Sequence, residues 1–245
     1  MSVPVVDIIE HIQQHQDSTL HQDLHWEGTF QEYLELVRER PEVARNAFQR
    51  LYDMVVSYGT HRYTEYKKEI VHYRFFDDPI GGGRDAIFGL DVALQKFVQV
   101  LKAAALGYGP ERRVILLHGP VGSAKSTICR LLKKGLEHYS RTPEGALYSF
   151  SWVSPPLELP GVVAEHTGGV HGSEPMPCPM NEEPLHLVPE EFRGVLLDAL
   201  NAKLADERKI RLEGNLCPAC RHVYNQLMQR YEGDWTKVIS HVRVR

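Results

Sequence analysis

The run Gly119-Pro120-Val121-Gly122-Ser123-Ala124-Lys125-Ser126-Thr127 constrains this chain more than any other segment. It follows a continuous apolar stretch, Val114-Ile115-Leu116-Leu117, and leads into a helical pattern from Lys125 to about His138. An unbroken apolar run of that length predicts a buried parallel strand with both faces covered. Strand, glycine-rich loop and helix in that order predict a site for phosphoryl groups. Their dense negative charge needs many N–H donors with no side chain in the way. Glycines at 119 and 122 let the loop curl until successive N–H groups converge. The positive end of the helix adds to the attraction. Lys125 is then expected at the β- and γ-phosphates of ATP and the Ser126 hydroxyl on Mg²⁺. Thr127 either packs behind the loop or bonds to the α-phosphate. Ala124 departs from the pattern G-x-x-x-x-G-K-[ST], and alanine fits there if the position does not need a positive φ.

A second strand is expected at Leu147 to Trp152, which makes a βαβ unit and an α/β fold with a parallel sheet and flanking helices. Ahead of it stands a small helical subdomain. Thr29 and Glu32 form a capping box, and Phe30, Tyr33, Leu34 and Val37 follow at helical spacing. Pro41 ends that helix; Ala44, Ala47, Phe48, Leu51 and Val55 repeat the stripe until Gly59. Tyr63 to Asp78 reads as irregular, Pro79 to Gly83 as a flexible loop, and Asp91 as the cap of a helix that stops at Gly107. The resulting division is a polar arm over 1–28, the helical subdomain over 29–80, and the phosphate-loop core over 81–245 with a Pro/Cys-rich insertion at 154–222. Val242 to Arg245 reads as a strand on which the sequence stops, so the chain is expected to be part of a longer one.

A phosphate-loop enzyme also needs a carboxylate to organise Mg²⁺ and water. The one apolar run ending in an acid, Val195-Leu196-Leu197-Asp198, falls inside a helical stripe with Phe192 and Leu200, so no catalytic residue is assigned. The acidic pairs Asp77-Asp78 and Glu182-Glu183 sit on loops with no partner base in view. Cys217-Pro218-Ala219-Cys220 is a knuckle whose two thiolates can grip a tetrahedral ion, and Cys178 and His186 upstream complete a candidate structural Zn²⁺ set. Cys129, on the helix after the loop, reads as core. The histidines at 11, 15, 21 and 25 read as a solvated arm.

The chain has 245 residues, a net charge of −4 and 42% hydrophobic residues. That charge argues against a general nucleic-acid binder held by phosphate neutralisation. No apolar run reaches the roughly 18–20 residues that span a bilayer, and no basic-then-apolar leader opens the chain, so a cytoplasmic protein is expected.

Five segments together resemble the PrkA-type serine protein kinases of bacteria, which carry an N-terminal AAA-type ATPase domain. They are His72-Tyr73-Arg74-Phe75-Phe76, Ile87-Phe88-Gly89-Leu90, the loop Gly119 to Thr127, Met180-Asn181-Glu182-Glu183-Pro184-Leu185-His186-Leu187, and Glu213-Gly214-Asn215-Leu216-Cys217-Pro218. The resemblance implies a P-loop AAA-type fold, ATP at Gly119 to Thr127, and a role in phosphorylating serine on protein substrates, often in stress responses. Some members have been regarded instead as AAA-type proteases. Two other outputs fit the same residues. One is a chaperone or protease motor that assembles with copies of itself; the other is a sensor that binds nucleotide without hydrolysing it.

Overall fold

The computed structural model describes residues 25–153 and 175–245. The arm through residue 24 and the insertion segment 154–174, with His11, His15 and His21, lie outside the described residues.

Helix α1 (Phe30–Glu39) starts at the expected capping box: the Thr29 hydroxyl accepts from Glu32 N–H, and Glu32 accepts in turn from Thr29 N–H. A 3₁₀ turn, Pro41–Ala44, leads to α2 (Ala47–Ser57), which opens on a second box, Asn46 with Gln49. The buried face of α2 differs from the expected stripe. Phe48 is exposed, whereas Gln49 and Arg50 are buried with Met54 and Val55. The polar pair is satisfied by backbone carbonyls: Gln49 Nε2 donates to Lys209 O at 2.7 Å, and Arg50 donates to Gly145 O at 2.5 Å. Paired in this way, their burial is affordable, and it ties α2 to two distant loops.

The stretch after Gly59 is ordered. Strands β1 (Thr60–Glu65) and β2 (Lys68–Tyr73) form an antiparallel hairpin. Its turn residues, Tyr66 and Lys67, both have positive φ, the geometry that matches strand twist, but without the Asn-Gly signature that announces such turns. Asp91 does not cap α3 (Asp91–Ala105). Its carboxylate instead accepts from the Tyr63 hydroxyl at 2.8 Å and faces His72 Nδ1 at 2.9 Å, while Asp77 faces His72 Nε2 at 3.0 Å. Burial alone would lower the His72 pKa, but the two carboxylates raise it above its ordinary value. The imidazole, held between the two carboxylates, thus clamps the hairpin to α3.

Pro79–Gly81 is a 3₁₀ turn capped by Asp78. The Asp78 carboxylate is fully buried and accepts from Gly81 N–H, Asp85 N–H and the Lys134 ammonium, the last at 2.8 Å. Burial pushes this carboxyl up, yet these donors together hold it below the usual range. Removing an acceptor of that kind costs about 2 kcal/mol, the usual value for hydrogen bonds to charged groups. We therefore expect Asp78→Ala to lower the unfolding free energy by that amount, seen in a urea titration as a lower midpoint at unchanged slope.

Among the described residues there are two antiparallel sheets and not the expected parallel one. Besides the hairpin there is a three-stranded sheet in which β3 (Phe150–Trp152) lies between β4 (Met176–Pro177) and β5 (Val242–Val244), antiparallel to both. Val114 to Leu117 forms no strand, and Val114 and Leu116 are 95% and 82% exposed. Both sides of β3, the strand expected beside it, are occupied by β4 and β5.

Helices α4 (Lys125–Tyr139), α5 (Glu190–Asn201), α6 (Pro218–Arg230) and α7 (Trp235–Ile239) complete the described architecture. Two hydrophobic cores form. One joins α1, the three-stranded sheet, the Pro184–Leu187 turn, α6 and α7; the other joins α2, Phe75, Phe76, α3 and α4. Gly135 lets α4 approach α2, because a Cβ there would lie 2.6 Å from both Met54 Sδ and Phe75 Cε2. No helix among the described residues is long and apolar enough to cross a membrane.

Candidate functional site

The loop Gly119 to Thr127 leads directly into α4, whose first residue is Lys125. The Lys125 ammonium lies over the loop and donates to Gly119 O at 2.9 Å, Pro120 O at 2.6 Å and Ser123 Oγ at 3.0 Å. Ser123 Oγ also donates to Pro120 O at 2.8 Å, and Gly122 takes φ 83°. These contacts curl the chain around the position of the ammonium. A Cβ at Gly119 would meet Ser123 Oγ at 2.7 Å, so any larger residue there would have to turn the Ser123 hydroxyl away. Val121 is fully exposed and Ser126 is exposed at the start of the helix.

Position 124 does require positive φ. Ala124 sits at φ 56°, ψ 13°, left-handed, and has no side chain to cap the helix. An alanine in that region costs about 1 kcal/mol relative to glycine, because its Cβ crowds the following carbonyl. Ala124→Gly is expected to stabilise the chain by about that amount, read as a higher thermal midpoint.

The body of α4 is held by charge as well as by its buried face. Arg130 donates through both Nε and Nη2 to Asp85, at 2.9 and 2.5 Å, and Lys134 reaches Asp78. Both acids lie on the segment around Pro79–Gly83, so this loop braces the phosphate-loop helix and is not a free one. Asp77 and Asp78 therefore have basic partners, His72 and Lys134, which arrive from other elements.

Asp198 lies on the exposed side of α5. No helix position of α5 is fully buried, and Phe192 and Val195 of its expected apolar stripe are 59% and 71% exposed. A cavity of about 560 Å³ is lined by Pro41, Arg45, Tyr52, Asp53, Tyr139 and Arg208, with no residue of the loop. Burial raises the Asp53 carboxyl to about 6 despite Arg45 Nε at 2.8 Å.

The remaining predicted residues gather elsewhere. Cys178, Cys217 and Cys220 are brought together with Glu182, their ligand atoms all within 4.8 Å of one another. His186 stays outside, its Nδ1 3.0 Å from Glu183 O and its Nε2 3.1 Å from Glu213 O. It links two of the distinctive segments through their backbones. Cys129 is exposed and does not join the core. Glu183 caps the Pro184–Leu187 turn through Leu185 N–H and accepts from the Tyr33 hydroxyl at 2.5 Å. Hence every acid and histidine of Glu182-Glu183-Pro184-Leu185-His186 has a structural partner.

The PrkA AAA domain family matches residues 28–244, nearly the whole chain. The chain belongs to this family. It is 33% identical over 214 residues to a Bacillus subtilis (strain 168) protein named ATP-dependent protease PrkA, covering 87% of this chain and 27% of that protein. The chain thus spans about a quarter of that relative's length. Over 94 residues it is 36% identical to an uncharacterized protein in the gldA 5′ region of Geobacillus stearothermophilus, covering 38% of this chain and 84% of that one. No solved structure matches.

Proposed function

We propose that this chain is the ATP-binding module of a PrkA-type protein, with ATP–Mg²⁺ held at Gly119 to Thr127 and the energy of the nucleotide directed at protein substrates. The observation that supports this reading best is the curled loop capped by the Lys125 ammonium at the start of α4. The carbonyls that hold the ammonium are neutral. A triphosphate would compete for it with two full charges, and charge-assisted bonds are about twice as strong. Lys125 then neutralises the β- and γ-phosphates, the N–H groups of residues 122–126 orient them, and the exposed Ser126 hydroxyl supplies one oxygen to Mg²⁺.

Two outputs follow. Serine phosphorylation of a protein substrate is the one implied by the family resemblance. ATP-dependent proteolysis is favoured by the name of the Bacillus relative. A nucleotide-sensing role without hydrolysis and a self-assembling motor are narrower forms of the same module.

Calorimetric titration with ATP and Mg²⁺, followed by phosphate release on the same sample, tests the module. Binding with no turnover supports a nucleotide-binding unit that relies on residues elsewhere; no binding overturns the assignment. Incubation with labelled ATP and an unfolded protein separates the outputs, since label on serine supports the kinase and peptide release supports the protease.

A further inference from the structure

The geometry points to a structural zinc site built from Cys178, Cys217, Cys220 and Glu182, with His186 excluded from it. Three buried, unbridged thiols and one carboxylate converge within 4.8 Å. In a tetrahedral site with Zn–S bonds near 2.3 Å the sulfurs stand roughly 3.8 Å apart, so closure needs shifts of about 1 Å or less.

The surroundings suit bound thiolates better than free thiols. Glu182 N–H points at Cys178 Sγ at 3.4 Å, and Cys220 N–H points at Cys217 Sγ at 3.4 Å. Such N–H donors support sulfurs that carry negative charge. The Trp152 indole N–H is buried with no hydrogen-bond partner of regular geometry. Glu182 Oε2 lies 3.5 Å from Cys178 Sγ, and no Lys, Arg or His forms an ion pair with Glu182 among the described residues. Glu182 thus offers an oxygen ligand beside the three sulfurs that no cationic side chain among the described residues occupies.

Sulfur-rich tetrahedral sites select zinc; Ca²⁺ and Mg²⁺ prefer all-oxygen shells, and a cubane cluster asks for a fourth cysteine. With all four positions filled by protein the ion is structural. It would lock the turn after β4 to the first turn of α6, beneath β3.

His186 cannot serve where it stands, because both ring nitrogens face backbone carbonyls. Its replacement by Glu182 also follows from spacing: Glu182 is four residues past Cys178 on a tight turn, and its own N–H already bonds that sulfur.

The test is elemental analysis of protein purified under reducing conditions, then Co²⁺ titration of the chelator-stripped chain. About one equivalent of zinc, and a tetrahedral Co²⁺ spectrum with the charge-transfer intensity of three thiolates, are expected. Glu182→Ala should weaken zinc at least about tenfold against a competing chelator, whereas His186→Ala should leave the stoichiometry unchanged. Zinc below about a tenth of an equivalent after reconstitution, a two-thiolate spectrum, or loss of metal in His186→Ala but not in Glu182→Ala would each overturn the assignment. The cobalt spectrum needs no variant, so a poorly folding mutant cannot blunt it.

Discussion

Lys125→Ala is expected to weaken ATP binding by about 100-fold or more in calorimetric titration. The arithmetic rests on charge-assisted bonds to two phosphates at about 1.5–3 kcal/mol each. No other basic side chain donates to the loop among the described residues: Arg130 is engaged by Asp85 and Lys134 by Asp78. The variant should still fold, because the ammonium's partners are Gly119 O, Pro120 O and Ser123 Oγ at a half-exposed loop rather than in a core. Unchanged affinity together with an unchanged melting curve would remove the loop from the nucleotide site. Lys125→Arg is a useful companion. It keeps the charge but replaces a compact ammonium with a planar fork, so it should recover only part of the binding.

The second large effect is on pH dependence. Glu183 keeps 21% of its side-chain surface accessible, yet its carboxyl is enclosed between α1 and the Pro184–Leu187 turn. Burial pushes it up to about 8, against the opposing bonds from Tyr33 and Leu185 N–H. A carboxyl whose folded pKa lies above its unfolded value near 4.5 binds its proton more tightly in the native state. Its stabilising contribution is therefore complete below about 4.5 and is lost as pH rises through about 8. At about 1.4 kcal/mol per unit the loss is on the order of 3–5 kcal/mol, an upper limit for a group with a fifth of its surface accessible. Glu183→Gln keeps the acceptor for Tyr33 and cannot ionise. We expect the wild-type thermal midpoint to fall between pH 5.5 and 8.5 and the variant's to fall distinctly less. Parallel pH profiles would show that Glu183 stays protonated or stays solvated in both states.

Much of the architecture is legible in local pattern. The capping box at Thr29, the helix stripes of α1 and α4, and the short strands at Phe150 and Val242 depend on neighbours a few residues away. The loop from Gly119 to Thr127 was equally legible, because glycine spacing, lysine and helix start are local facts. The sequence also marked Cys178, Cys217 and Cys220 as one candidate set, but not that Glu182 rather than His186 would lie beside them.

What the tertiary structure alone decided concerns pairing over distance. An apolar tetrapeptide such as Val114–Leu117 states a preference for a buried strand, yet a strand's hydrogen bonds come from a neighbour, and here the segment pairs with none while β4 and β5 flank β3. The direction of those strands follows from where the chain returns, and that separates an antiparallel sheet from the expected parallel one. Buried charge is settled the same way. Asp78 and Lys134 are 56 residues apart, and Tyr33 and Glu183 are 150 apart. Neither member of either pair is unusual in its own segment. Their burial is tolerable only because the fold delivers the partner, so the sequence by itself determined the helices, the loop and the thiols, and the packing determined what they face.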